Sequence, residues 1–249
     1  MLSAGAIGFI GAVFVAAGLV KGVVGMGLPT VAMGLLAVTM PPAQAAALLL
    51  IPSLVTNLWQ LFTGPSFGGL CKRLWTMMAG VVIGTVTGAG LLTGAHTMMA
   101  SAGLGAALVL YALAGLAKAG FTTPARHEAW ISPLVGVATG LVTGATGVFV
   151  IPAVPYLQSL RLEKEDLIQA LGLSFTVSTV ALGFGLFTTG ALVSPQLVGS
   201  VLALAPALAG MFIGQALRQR MSVETFRTVF FAGLLALGIY LALEAVPRG

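Results

Sequence analysis

Residues 18–30 read GLVKGVVGMGLPT, and residues 140–152 read GLVTGATGVFVIP. In both, glycine recurs at helical steps and a proline closes the stretch. Apolar runs flank each one: 4–20 and 23–39 around the first, 130–142 and 147–159 around the second. Glycine lets a backbone turn sharply, and proline costs little where an N–H is already free. The pattern predicts two helix pairs, each interrupted at its glycines, with breaks at 21–27 and 143–147.

Working outward, six longer apolar runs remain: 43–63, 74–94, 97–117, 167–188, 195–217 and 226–246. A bilayer-spanning helix needs roughly 20 such residues. The chain of 249 residues is 58% hydrophobic and 7% charged, where a soluble domain carries about 25% charged residues. Lys21 is the sole charged residue before Lys72, and 167–217 holds none. The net charge of +5 therefore reads as basic loops between spans, a topology signal, and not as a nucleic-acid patch. Cys71 is the single cysteine, which excludes an intramolecular disulfide or a cysteine-based metal cluster. The start of the chain lacks a basic segment before its apolar run, which argues against a cleaved signal peptide.

The two breaks head an internal repeat. Gly18, Gly22 and Gly25 lie 122 positions before Gly140, Gly144 and Gly147. Pro29 and Pro152 follow, then Gln44-Ala45 and Gln169-Ala170, with Ser53 and Ser178 at that same later offset of 125. Gly84 and Gly88 match Gly210 and Gly214. If each broken pair enters and returns on one side, then Lys72, Arg73, Lys118, Arg126, Arg161, Lys164, Arg218, Arg220 and Arg227 share a compartment. These are nine of the eleven basic residues, and the positive-inside rule makes that side cytoplasmic. The expected fold is an all-α polytopic membrane protein of two inverted repeats, 1–120 and 121–249. Each repeat has a glycine-rich broken helix pair, re-entrant or kinked (4–39 and 130–159), plus three transmembrane helices. Both termini are then expected outside the cytoplasm.

A broken helix leaves backbone groups that survive only inside protein or beside water, and transporters built on inverted repeats bind their substrates at such interruptions. Half-helix N-termini favour an anion. Lys21 lies in the first break and Thr143 and Thr146 in the second; Thr56, Asn57 and Gln60 follow at helical spacing, as do Gln169, Ser174 and Ser178 in the matching span. Glu244 is the single carboxylate within an apolar run, whereas cation sites use carboxylates. The candidate substrate-binding residues are Lys21, Gly22, Gly25, Gly27, Asn57, Gln60, Thr143, Gly144, Gly147 and Ser178. Gly80-Gly84-Gly88 and Gly136-Gly140-Gly144 read as close helix packing. His96 and His127 fall in expected loops and form no metal motif, and no cofactor is expected.

Residues 21–60, KGVVGMGLPTVAMGLLAVTMPPAQAAALLLIPSLVTNLWQ, together with GLVTGATGVFVIP and LIQALGLSFTVSTVALGF within 140–184, resemble the sulfite exporter TauE/SafE family of anion permeases. The resemblance implies export of sulfite, organosulfonates or related anions across the plasma (inner) membrane. It also implies a pathway lined by Gly22, Gly25, Gly27, Pro29, Gly144 and Gly147. Thr143 stands where the first half has Lys21, so the implied site is asymmetric. The expected activity is secondary permease transport, with no catalysis. No P-loop is present to couple ATP; membrane potential, worth about 2.3 kcal/mol per charge per 100 mV, or protons could drive it. The rivals are an anion channel and a partner-dependent membrane subunit that does not itself transport. The expected partners are a small anionic substrate and the lipid bilayer, without nucleic acid; a homo-oligomer is compatible with the sequence.

Overall fold

A computed structural model describes residues 4–93, 97–117, 122–192, 194–220 and 222–245. His96 and Lys118, which the sequence places in loops, lie outside them. The described residues form ten α-helices: α1 Ala4–Val24, α2 Leu28–Leu36, α3 Pro42–Phe62, α4 Phe67–Gly88, α5 Thr97–Leu116, α6 Ala125–Thr146, α7 Ala153–Ser159, α8 Lys164–Thr188, α9 Ser194–Arg218 and α10 Val223–Glu244. Eight of them, all but α2 and α7, are long and apolar enough to cross a membrane. Large apolar side chains such as Trp130, Leu134, Phe187 and Leu202 are exposed on their outer faces. Such a surface suits hydrocarbon, where helices satisfy their own backbone groups. The chain is a multi-pass α-helical membrane protein.

Six ordinary spans were expected, and eight helices have the length. The difference lies in the first member of each broken pair. The α1 helix runs unbroken through Lys21 and Gly22 to Val24, so the first break shrinks to residues 25–27. Gly25 and Gly27 take left-handed φ values of +83° and +104°, which a side chain would oppose. The α6 helix begins earlier than expected, at Ala125, and runs through Thr143 and Gly144 to Thr146. It therefore takes in Arg126 and His127, which the sequence placed in a loop, and α4 likewise takes in Cys71. Gly147 caps α6 in the left-handed conformation, its N–H donating to Thr143 O at 2.7 Å. The polar residues that looked like breakers are satisfied without leaving the helix: Thr143 and Thr146 donate to the carbonyls of Thr139 and Val142, each at 2.7 Å.

The α6–α7 pair is a hairpin. Tyr156 of α7 shares a hydrogen bond of 2.6 Å with Ser132 in the second turn of α6. Thr123 N–H, just before α6, donates to Ser159 O at 3.1 Å, and Arg161 Nε donates to Thr122 at 3.2 Å. The chain thus comes back to the end of the bundle where α6 began. That end also holds the α3–α4 turn, since Gln169 near the start of α8 donates to Gly64 O and accepts from Ser66 N–H. The end of α9 joins it, lining one cavity with the start of α8.

Two pairs of helices meet along glycine-lined seams, and α5 meets α10 closely at Gly105 and Gly238. The α4 residues Gly80, Gly84 and Gly88 lie against Gly136, Gly140 and Gly144 of α6. Gly18 and Gly22 of α1 lie in the same way against Gly210 and Gly214 of α9. A methyl group on Gly140 would stand 2.6 Å from the Thr85 backbone nitrogen, so only glycine permits this approach. The other principal contacts are α3 with α8 and α5 with α10. When α1–α5 are paired in order with α6–α10, the α1/α9 contact maps onto α6/α4.

Candidate functional site

Lys21 sits near the end of α1, and its side chain is 5% exposed. It is the one buried charged residue among the described residues. Its Nζ donates to Asn57 Oδ1 on α3. Asn57, itself fully buried, donates through Nδ2 to Thr179 Oγ1 of α8 at 3.4 Å. Thr179 in turn donates to its own helix at Phe175 O, 2.7 Å away. Three helices are thereby tied by a neutral relay that ends on an ammonium or an amine. An unpaired charge so buried is costly, and an amide oxygen offsets only part of that cost.

One turn along α3, Gln60 Nε2 donates to Gly25 O at 3.1 Å and to Ile168 O at 3.0 Å. This bond explains how the first break is held. The left-handed turn at Gly25 turns a carbonyl away from the helix ladder, and Gln60 satisfies it while stitching α1 to the start of α8. Gln60 Oε1 is buried without a partner. A cavity of about 550 Å³ opens here, lined by Lys21, Gly22, Gly25, Thr56, Gln60, Lys164, Glu165, Arg218 and neighbours including Gln215 and Gln219. Lys164 and Arg218 face one carboxylate, Glu165, and the other polar groups include Lys21 Nζ, hydroxyls and amides. Low-dielectric walls around like charges focus a positive potential into such a cleft, and a small anion fits it in charge and size.

The core between the helices is closely filled. Phe175 packs against Phe149, ring centroids 5.3 Å apart, and Leu28, Val148, Phe149 and Val150 have no exposed surface. Ser53, Ser174, Ser178 and Thr30 are buried there with hydroxyls that have no hydrogen-bond partner. The α3 and α8 helices cross in antiparallel register, with Leu61 at Gly172 and Leu50 at Gly183, so Ser53 and Ser178 both fall between these contacts.

The ten residues expected at the site divide into two groups. Lys21, Gly22, Gly25 and Gln60 line the cavity, Asn57 braces Lys21, and Gly27 starts α2. Thr143 and Gly144 do not join them. Thr143 bonds its own helix, and Gly144 packs on the Thr85 to Ala89 segment of α4. Gly147 lies under Met33 of α2, and Ser178 is one of the unpaired hydroxyls. Gly22 also has a packing role, against Met211 and Gln215 of α9. Sequence reasoning missed Lys164, Arg218, Gln215 and Gln219 as site residues. In the sequence Lys164 and Arg218 read as topology signals, and their convergence follows from the register of α8 and α9, which no local pattern encodes. Among the described residues no group of three or more His, Cys, Asp or Glu is placed to hold a metal ion.

Comparison with known proteins gives one match. The family model described as sulfite exporter TauE/SafE matches residues 10–241, which takes in the cavity, both breaks and all eight long helices in whole or in large part. No curated protein and no solved structure matches the chain. With nearly its whole length matched, the chain belongs to the sulfite exporter TauE/SafE family.

Proposed function

We propose that this protein is a secondary permease exporting a small anion such as sulfite or an organosulfonate across the plasma membrane. Its binding site is centred on the first helix break. The observation that carries this reading is the cavity at Gly25, where buried Lys21 faces open space beside Lys164 and Arg218. Asn57 holds the lysine, while Gln60 and Thr56 line the same wall with their own donors spent on backbone carbonyls. The closely packed core at Phe149 and Phe175, with no open passage among them, favours a carrier exposed to one side at a time over an open channel.

The architecture we infer has two halves, 1–120 and 121–249, inverted with respect to each other. The α6–α7 hairpin starts and ends at the end of the bundle bearing Arg73, Arg126, Arg161, Lys164 and Arg218. By the positive-inside rule that end is cytoplasmic. The α1–α2 pair enters from the opposite face: α1 ends in the cavity with the ends of α3 and α9, and α2 must lead back to the far end where α3 begins. Both termini are then outside. The matching contacts, α1/α9 with α6/α4, support the duplication.

The test is solute counterflow in proteoliposomes. Vesicles loaded with unlabelled sulfite should take up labelled sulfite or methanesulfonate with saturation, and should ignore a neutral amino acid. Lys21→Met should reduce this exchange at least tenfold while inserting normally. Wild-type kinetics in that variant would remove Lys21 from the site.

A further inference from the structure

The chain contains six carboxylates, Glu128, Glu163, Glu165, Asp166, Glu224 and Glu244, and none of them is buried. Glu128 pairs with Arg73 at 2.7 Å. Lys21 is enclosed between α1, α3 and α9, and its partner is the neutral amide of Asn57. The titratable groups facing the same cavity are Lys164, Glu165 and Arg218. Of these, two are cations that disfavour a second positive charge nearby, and Glu165 is exposed to solvent. The α2 helix, packed on α1, has no titratable side chain. The α10 helix, also in contact with α1, brings Arg227, which lies over the Phe231 ring, and Glu224 and Glu244, which are exposed toward its two ends.

A permanently charged ammonium would need a buried carboxylate to offset its desolvation, and this site has none. Asn57 Oδ1 can accept from either an amine or an ammonium, so it holds the side chain in both charge states; its stronger bond to the ammonium offsets only part of the cost of burying the charge. Water reaches Lys21 through the cavity, which gives a proton a route. What would stabilise the charged form is the anion itself, since opposite charges a few Å apart favour ionisation of both.

We propose that Lys21 carries one proton with each anion, a coupling that rests on the permease reading above. In the empty site Nζ is a neutral amine. Anion entry and proton uptake from cavity water occur together, giving an ammonium beside the anion. Departure of the anion on the far side releases the proton there and restores the amine. A monovalent anion therefore crosses with no net charge moved.

The experiment uses the full chain in proteoliposomes with methanesulfonate, which stays a monoanion throughout the working pH range, and with sulfite as the second solute. Counterflow without gradients is measured first. Net accumulation of methanesulfonate is then followed under a pH gradient of one unit with the potential clamped, and separately under a potassium diffusion potential at equal pH. One proton per anion gives about tenfold accumulation for the one-unit gradient and none for the potential. In Lys21→Arg, whose guanidinium does not release its proton, remaining transport should follow the potential and not the pH gradient. Wild-type accumulation under the potential alone, or pH-driven accumulation by Lys21→Arg equal to wild type, would overturn the proposal and leave the permease standing. Absence of counterflow with both solutes would overturn the permease reading, and this coupling with it.

Discussion

Replacing Gly22 by alanine tests the packing and the site together. Gly22 lies one residue after Lys21, on the seam with α9. An added methyl group would collide with Met211 O and stand 2.8 Å from the Gln215 backbone nitrogen. Ordinary contact for such a pair is about 3.4 Å or more, and both obstacles are backbone atoms that cannot rotate away. The helices must separate by several tenths of an ångström at least, an overpacking that typically costs about 1–3 kcal/mol. At about 2–4 °C per kcal/mol for a chain of this size, thermal unfolding in detergent should fall by roughly 2–12 °C. The control is Gly11→Ala in the same helix, where nothing lies within 4 Å of the new methyl and alanine improves helix propensity. Transport by Gly22→Ala should fall as well, because displacing α1 pulls Lys21 away from Asn57. Equal melting temperatures for Gly22→Ala and Gly11→Ala would refute the reasoning, since the seam would then have slack that the backbone distances deny.

Other substitutions separate the roles assigned above. Asn57→Leu removes the acceptor of Lys21 and should cost about 1–3 kcal/mol of stability, read as a lowered unfolding temperature with loss of exchange. Asn57→Asp should keep or raise stability yet abolish exchange, because a resident carboxylate takes the place of the substrate anion; active transport by this variant would argue against Lys21 as the anion's partner. Neutralising the cavity rim in Lys164→Gln/Arg218→Gln should raise the half-saturation concentration several-fold at low salt and less at high salt, as screening of exposed charges requires. Thr143→Val should leave transport unchanged and cost about 0.5–1.5 kcal/mol of stability, since its buried hydroxyl bonds only its own helix; a large transport defect would return the second break to the site.

Much of this was legible in the sequence, for physical reasons that differ by residue. The glycines at 80, 84 and 88 and at 136, 140 and 144 announce close packing because nothing else explains that spacing on an apolar helix, and the structure seats one triplet against the other. The position of the breaks was legible only to within a turn. Lys21 and Thr143 look like interruptions when charge and hydroxyl content are read along the chain. In the fold a partner on α3 absorbs one and the residue's own helix absorbs the other. Pairing of that kind depends on neighbours distant in sequence. The rim residues Lys164 and Arg218 were hidden for the opposite reason. Charges at helix ends have an adequate explanation in topology, and only the three-dimensional register shows that two of them share a cavity with Lys21.

The two seams also constrain how such a molecule can move. Where α1 meets α9, and where α4 meets α6, backbone lies on backbone, and no side chain between them can switch rotamer to let one helix slide past the other. Each couple behaves as a single stiff plank. The α3/α8 crossing has backbone on backbone at Gly172 and Leu61, but toward Gly183 and Leu50 side chains intervene, and relative motion falls to this stretch, which carries Ser53 and Ser178 with their unpaired hydroxyls. A crossing with spare hydrogen-bonding capacity can exchange partners as it shears. The stiff planks would then turn that small shear into exposure of Lys21 on one face of the membrane or the other.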